Sequence, residues 1–170
     1  MANSEFKVEV KYTENDFNKN GLNTVEFKIR TNIGEDENSL SKVASGGENS
    51  RIMLAFKTIL ADIDEIDTLV FDEIDTGISG IAADKVGEKL KIISNKHQVL
   101  IVTHLANIAA KGDYNYYIHK EIEENKTKTK IELLNEEQTL KEVARIASGK
   151  ITKETIEHAK ILRGENKKIA

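Results

Sequence analysis

Alternating and helical patterns of apolar residues divide the chain into strands and helices. The segments Phe6–Tyr12 and Val25–Ile29 alternate apolar and polar residues, as half-buried strands do. Asn20-Gly21 predicts a turn between them, so we expect an antiparallel hairpin with a long connection. A helix is predicted after the segment Ser45–Glu48. Its apolar stripe consists of Ile52, Ala55, Phe56, Ile59, Leu60 and Ile63.

Two short apolar runs predict a parallel sheet. The runs are Thr68–Phe71 and Val99–Val102, and neither alternates, which is typical of strands buried on both faces. The segment between them is long enough for a crossover helix. Residues spaced for the inner face of that helix are Ala83, Val86, Gly87 and Leu90. The pattern therefore predicts an α/β fold with parallel strands joined by a crossover helix.

The last third of the chain predicts a hairpin and two helices. A short helix near 105–110 is followed by strands at 114–122 and 127–134, which turn near Glu124-Asn125. Helices are expected near 136–147 and 152–162, with Gly149 as the C-terminal cap of the first. We expect residues 1–170 to form a single domain.

Composition narrows the classes of function. The chain is 39% hydrophobic and 32% charged over 170 residues, with a formal net charge of −4, which is typical of a soluble globular domain. An acidic chain disfavours a DNA-binding groove, which needs a basic surface. It has no cysteine for disulfide or thiol chemistry. No apolar run approaches the ~20 residues that span a membrane, and residues 1–10 lack a signal-peptide core, so a cytoplasmic location is expected.

Polar residues that suit nucleotide chemistry follow both apolar runs. Asp72-Glu73 comes directly after the first run and His104 closely after the second. Ligands of open α/β sheets bind at the carboxyl ends of the strands. One carboxylate could hold Mg²⁺, a second could orient an attacking water, and the histidine could hydrogen-bond a terminal phosphate. Each signal alone is weak, because a solvated loop or an incidental histidine explains it equally well.

The segment Ser45-Gly46-Gly47-Glu48 has two compatible interpretations. Ser-x-x-Glu before an amphipathic helix is a capping box, in which the two side chains satisfy free backbone amides. The two glycines also allow close approach of a ligand, and the helix N-terminus offers N–H groups to a phosphate.

The order of three motifs indicates the function more strongly than any of these signals alone. Ala44–Arg51 precedes a helix, then comes the segment Leu69–Gly80, and then Gln98–Leu105. They resemble, in this order, the signature motif, the Walker B strand with its D-loop, and the switch histidine of an ATP-binding cassette. The residues of these motifs are most similar to those of the RecN family of SMC-like DNA-repair ATPases. The resemblance extends from about Phe6 to the last helix. The resemblance implies a partial cassette head, with antiparallel hairpins at the edges of the parallel sheet.

The resemblance also implies a role for each matching residue. Asp72 would support Mg²⁺, Glu73 would polarise the hydrolytic water, and His104 would contact the γ-phosphate of ATP. Asp75 would belong to the D-loop at a dimer interface. The signature residues would contact ATP held by a second head; they are Ser45, Gly46, Gly47 and Glu48. A bacterial, nucleoid-associated protein of double-strand-break repair is implied.

Two positions depart from the family pattern, and one motif is absent. Asn49 stands where an apolar residue, usually leucine, is expected, and Ala106-Asn107 stands where the family often has Pro-Gln. No Gly-x-x-x-x-Gly-Lys-Ser/Thr loop occurs in the sequence. In the family that loop lies far upstream, beyond a coiled coil. We therefore expect this chain to be the C-terminal part of a longer protein, inactive alone and in need of an N-terminal Walker A half. DNA is expected to bind through the full-length protein and not through this acidic part.

Other functions remain open at this stage. The chain could be a lobe of a transporter cassette or of a different SMC-like protein, or a non-catalytic interaction module that has kept the cassette lobe. The remaining histidines show no metal-ligand spacing and are interpreted as surface or boundary residues. They are His97, His119 and His158.

Overall fold

A computed structural model of the chain shows two compact units, residues 1–45 and 46–170, which are described separately. It describes residues 4–12, 19, 21–30, 33–34, 36–42, 46–61, 63, 65–123 and 126–164. That residues 1–170 form a single domain stays a prediction. In these described ranges, no helix has both the length and the apolar character needed to cross a membrane.

The first unit is a small antiparallel sheet. Strand β1 (Glu5–Tyr12) pairs along its whole length with β2 (Asn23–Arg30), and β2 pairs with the two-residue β3 (Asn38–Ser39). A 3-10 turn, Leu40–Lys42, follows. The predicted hairpin is thus confirmed, while Asn20 of the predicted turn lies outside the described residues. Lys28 bonds to Glu9, and this contact lowers the pKa of the Glu9 carboxyl below its ordinary value.

The second unit is built around two parallel strands. Strand β4 (Thr68–Phe71) pairs in parallel with β5 (Gln98–Ile101), and the crossover between them contains helix α2 (Gly80–Ile93). Helix α1 (Gly46–Leu60) precedes β4, and the short helix α3 (Ala106–Ala109) follows β5. The predicted parallel sheet with a crossover helix is confirmed.

One face of this sheet forms the main core. The side chains of Leu69 and Phe71 point to this face, where Val99 and Ile101 of β5 pack beside them. Helix α2 covers it with the buried residues Ala83, Gly87, Leu90 and Ile93. Three of the four residues predicted for its inner face are therefore buried, and the fourth, Val86, is half-buried and packs against the same core.

The other face of the sheet is uncovered in this chain. Val70 and Leu100 are cross-strand partners, and they are 67% and 47% exposed; Val102, beyond β5, is 55% exposed. The prediction that both strands are buried on both faces is therefore wrong for this chain. The physical reason is that α1, α2 and α3 all pack on the opposite face, and no described element of the second unit covers this one.

Helix α1 also differs from its predicted stripe. Ile52 is buried, but the other buried apolar side chain is Leu54, which the stripe does not include. Ile59 and Ile63 are largely exposed. The helix ends at Leu60, so the predicted stripe, which runs to Ile63, extends past the helix.

A hairpin and a helix pair complete the second unit. Strands β6 (Tyr116–Glu123) and β7 (Lys126–Leu133) are antiparallel, and Glu124-Asn125 of the predicted turn lies outside the described residues. On this hairpin, Lys130 and then His119 hold the pKa of the Glu121 carboxyl below its ordinary value.

The last two helices form a second core against α3. Helices α4 (Glu136–Ser148) and α5 (Lys153–Arg163) each begin with a capping box. Gly149 caps α4 with φ of 71°, as predicted. Small buried residues let the helices approach closely; they are Ala106, Ala110, Val143, Ala144 and Ala159.

Candidate functional site

The carboxyl ends of β4 and β5 meet at one edge of the parallel sheet. Phe71 pairs with Ile101 at the last position of the register, and the amide of Val102 donates to the carbonyl of Phe71 across 3.1 Å. Asp72 follows the first strand, and His104 follows the second. The structure therefore brings the acidic pair and the histidine to the same edge, as the sequence predicts.

Asp72 and Glu73 form a tight turn at the end of β4. Oδ1 of Asp72 accepts the backbone amide of Glu73 at 2.9 Å. Glu73 has φ of 57°, in the left-handed region that costs a residue with a side chain about 1–2 kcal/mol. Both residues are exposed. Backbone strain of this kind persists where the surroundings impose it, and it is concentrated at functional sites.

The glycines of α1 lie against this turn. A Cβ built on Gly46 would collide with the carboxylate of Glu73. A Cβ built on Gly47 would lie 2.8 Å from the carbonyl oxygen of Thr76 and 2.9 Å from that of Glu73. The sequence analysis expects a nucleotide to lie close to these glycines. In this chain, Glu73 and the loop that follows it lie close to them. The positive end of the helix dipole favours a carboxylate at this position.

Two side chains of α1 hold the loop that follows Asp72. Oγ of Ser50 donates to the carbonyl of Asp72 at 2.8 Å. Nη1 of Arg51 donates to the carbonyls of Ile74 and Thr76 at 3.1 and 2.8 Å. Ile74 itself is fully buried, so the loop is fixed by both packing and hydrogen bonds. Sequence reasoning missed these contacts, because no local pattern indicates partners 22 to 25 residues away.

Asp75 is the buried carboxylate of the site, with 2% of its surface exposed. Its Oδ2 accepts from Oγ1 of Thr103 at 2.6 Å and from the backbone amide of His104 at 2.8 Å. Nδ1 of His104 lies 3.1 Å from the same oxygen. These contacts join the loop after β4 to the turn after β5. Membership of Asp75 in a D-loop at a dimer interface stays a prediction, and its carboxylate is engaged inside the molecule.

The remaining predicted site residues differ in how far the structure describes them. His104 is 72% exposed, so most of its ring is open to solvent. Glu48 is half-buried in the first turn of α1. Ser45 lies outside the described residues, and so does its half of the capping box. The assigned roles in catalysis, nucleotide binding and Mg²⁺ binding stay predictions.

The two departures from the family pattern fit the fold. Asn49 lies on the exposed side of α1, where a polar side chain does not disturb the core. Ala106 is buried at the start of α3. Nδ2 of Asn107 donates to Oδ1 of Asp84 at 2.9 Å, which links α3 to α2.

The other histidines lie away from this edge or have structural partners. His97 is buried, and its Nδ1 lies 2.6 Å from the carbonyl of Ile66, so its interpretation as a surface or boundary residue is wrong. Nε2 of His119 lies 3.1 Å from Glu121, and His158 is exposed. In the part of the chain that the structure describes, no group of three potential ligands could hold a metal ion.

The donor set at the sheet edge suits a cation that arrives with a nucleotide. Asp72 and Glu73 offer exposed carboxylate oxygens, which hard cations such as Mg²⁺ prefer. Mg²⁺ is usually held by one or two carboxylates together with substrate phosphates and water. Two neighbouring carboxylates fit that pattern, and a self-sufficient protein cage is not needed.

Known proteins resemble this chain over most of its length. It is 43% identical to the DNA repair protein RecN of Bacillus subtilis over 143 residues, which cover 84% of the chain and 25% of that protein. It is 42% identical to RecN of Halalkalibacterium halodurans over 166 residues, which cover 95% of the chain and 29% of that protein. The chain thus spans between a quarter and three tenths of the length of these relatives. No protein-family model matches it.

Solved structures share its fold. One is an SMC ATPase from work on ATP-driven dimerization and DNA-stimulated activation, with a TM-score of 0.50 and 21% identity, covering 86% of this chain and 83% of that chain. Another is an Smc head domain with a coiled coil and joint from Pyrococcus yayanosii, with a TM-score of 0.55 and 19% identity, covering 81% and 25%. The predicted fold class, α/β with a parallel sheet and antiparallel hairpins, is confirmed, and these SMC head structures share it.

Proposed function

We propose that this chain is the signature and Walker B lobe of a RecN-like ATPase head, because it is homologous to RecN DNA repair proteins. Joined to a half that carries a phosphate loop, it would hydrolyse ATP between two heads, in the repair of DNA double-strand breaks. One observation carries this proposal: the acidic turn after β4, the histidine after β5 and the first turn of α1 converge at one edge of the sheet.

ATP and Mg²⁺ are the ligands that this edge would take. Asp72 would hold the cation, usually through water, and its bond to the Glu73 amide fixes its side chain for that role. Glu73 would orient and deprotonate the attacking water. His104, with most of its ring exposed, would donate to the terminal phosphate. Mg²⁺, when bound, supplies charge neutralisation at the phosphates.

The proposed half that carries the phosphate loop would cover the exposed face of the parallel sheet. The uncovered sheet face contains Val70, Leu100 and Val102, and buried parallel sheets have both faces covered. Burial of such apolar surface stabilises an assembly by about 25 cal/mol per Å². These exposed residues support a complementary half against this face, which would also supply the phosphate-cradling loop that the sequence lacks.

A second head is the other proposed partner. The signature residues Ser45, Gly46, Gly47 and Glu48 would contact ATP bound to that head, which gives a two-fold interface with two shared sites. Within one chain, the contact at Gly46 is made by Glu73, so the signature and the acidic turn are already neighbours. DNA would be bound by other parts of the full-length protein, because this chain has a net charge of −4.

Mixing two inactive variants tests the shared site. In the protein that carries both halves, Glu73→Gln is expected to bind ATP but to hydrolyse it at least ~10²-fold more slowly. Ser45→Arg is expected to spare ATP binding to one head and to abolish ATP-driven pairing. A mixed dimer retains one site in which an intact Glu73 faces an intact signature, and phosphate release should return.

Controls make this experiment decisive. Ser41→Arg places the same side chain on an exposed serine four residues earlier and should leave turnover unchanged. Mixed dimers are verified by capturing one tagged variant and detecting the other. If verified mixed dimers remain as inactive as their parents, the signature does not act on the partner's nucleotide. An unchanged turnover number in Glu73→Gln would remove Glu73 from catalysis.

A further inference from the structure

A single buried oxygen organises the turn that carries His104. Oδ2 of Asp75 accepts from the Thr103 hydroxyl and from the His104 amide, and Nδ1 of His104 lies 3.1 Å from it. The Thr103 oxygen in turn accepts the amide of Leu105 at 3.1 Å. The turn between β5 and α3 is therefore held by one carboxylate from the loop after β4.

The position of Asp75 is fixed from α1. The carbonyls on either side of it, those of Ile74 and Thr76, both accept from Nη1 of Arg51. Ile74 has no exposed surface, and the Thr76 amide donates to the Glu73 carbonyl at 3.0 Å. A carboxylate on a loop held in this way has little freedom to move, so it can define where its partners lie.

The two ring nitrogens of His104 are in different surroundings. Nδ1 faces the Asp75 carboxylate, whereas 72% of the side chain is exposed. Nδ1 is therefore the ring nitrogen on the protein side. Nε2 is the nitrogen left to donate to a phosphate.

We infer that Asp75 is the positioning residue of His104: it holds the backbone of the histidine and lies beside its Nδ1, so that Nε2 is presented to the nucleotide. The inference rests on the proposed function for the nucleotide and goes beyond it by giving Asp75 a role within its own head. The chain of contacts runs from Arg51 of the signature helix through the loop to Asp75 and His104. A displacement of about 1 Å at a reacting group can lower a rate ~10²-fold, so loss of this support should be measurable.

A double-mutant cycle tests the functional part in the protein that carries both halves. Asp75→Asn should lower kcat about 10- to 100-fold with little change in KM for ATP. In a His104→Gln background, the same change should alter kcat less than about twofold, because Asp75 acts through His104. Asp84→Asn is the matched control, since Asp84 accepts from Asn107 and does not bond to the histidine turn; it should leave kcat unchanged.

Each outcome separates the inference from the proposed function. If His104→Gln lowers kcat and Asp75→Asn multiplies that loss independently, Asp75 does not act through the histidine and the inference fails alone. If His104→Gln leaves kcat intact, the proposed role of His104 fails and the inference fails with it. Should Asp75→Asn not fold, Thr103→Val removes one donor to Asp75 and keeps the side-chain shape. It should lower kcat in the wild-type background only, and an equal loss in the His104→Gln background would contradict the inference.

Discussion

Replacing Gly47 by alanine is expected to destabilise the chain, whereas the same replacement at Gly46 is expected to leave its stability nearly unchanged. Both glycines lie in the first turn of α1, so the gain in helix propensity, at most ~1 kcal/mol per residue, is similar for both. The difference comes from what each new methyl group meets. At Gly46 it meets the end of the Glu73 side chain, and at Gly47 it meets two backbone carbonyls.

The structure sets the size of the effect. A Cβ at Gly47 would lie 2.8 and 2.9 Å from the carbonyl oxygens of Thr76 and Glu73 and 3.0 Å from Nη1 of Arg51, all below the 3.4 Å of ordinary contact. The loop cannot retreat easily, because Arg51 and buried Ile74 hold it. Overpacking of this kind costs about 1–3 kcal/mol. Because the loop is held, the cost here lies at about 2–3 kcal/mol, and after the gain of at most ~1 kcal/mol in helix propensity we expect a net loss of about 1–2 kcal/mol. Gly46→Ala needs only a rotation of exposed Glu73, but this moves the carboxylate away from the positive end of the helix dipole at a cost of about 0.3–1 kcal/mol. That cost offsets the gain in helix propensity, so stability should change by less than about 0.5 kcal/mol.

Urea titration followed by far-ultraviolet circular dichroism measures both effects. The midpoint of Gly47→Ala should fall at an unchanged slope, which shows that stability and not compactness has changed. A loss of about 1–2 kcal/mol corresponds to a Tm lower by about 2–8 °C. A Gly47→Ala chain as stable as wild type, or a Gly46→Ala chain less stable than Gly47→Ala, would refute the packing described for the first turn of α1.

Three further predictions follow from other parts of the chain. Leu69→Ala should lower the free energy of unfolding by about 2–5 kcal/mol, whereas Val70→Ala, on the uncovered face, should change it by less than about 0.5 kcal/mol; equal urea midpoints for the two variants would contradict the one-sided core. Gly149→Ala, at φ of 71°, should cost about 1 kcal/mol, and an unchanged thermal midpoint would argue against the left-handed cap. The 170-residue chain alone should release negligible phosphate from ATP and Mg²⁺, because it has no phosphate loop; purified turnover that disappears in Glu73→Gln would contradict this.

The elements of the fold were predictable because their patterns are local. Alternation in β1 and β2, the two apolar runs of β4 and β5, and the glycine after α4 each depend on residues close in sequence. Burial was harder to predict. A continuous apolar run such as Leu69-Val70-Phe71 predicts a strand that is covered on both faces. In this structure Val70, the middle residue of the run, is exposed.

The candidate site was predictable in its parts but not in its connections. Asp72, Glu73 and His104 could be placed at one sheet edge because each follows a parallel strand. The bonds of Asp75 to Thr103 and His104 cross 28 and 29 residues, and their geometry depends on how two loops pack. The left-handed backbone of Glu73 could not be predicted from the sequence either, since glutamate is not a residue type that indicates positive φ.

The left-handed conformation of Glu73 places folding stability and the proposed catalytic role of this residue in opposition at one position. Glycine tolerates φ of 57° without the steric penalty that glutamate bears, and it would also remove the carboxylate that crowds Gly46. Laboratory evolution or sequence design that rewards melting temperature alone is therefore expected to favour glycine at this position. A screen that also scores ATP turnover by the protein that carries both halves should retain the glutamate. A difference between the two selections at this codon would measure the folding stability that is lost when the residue is glutamate.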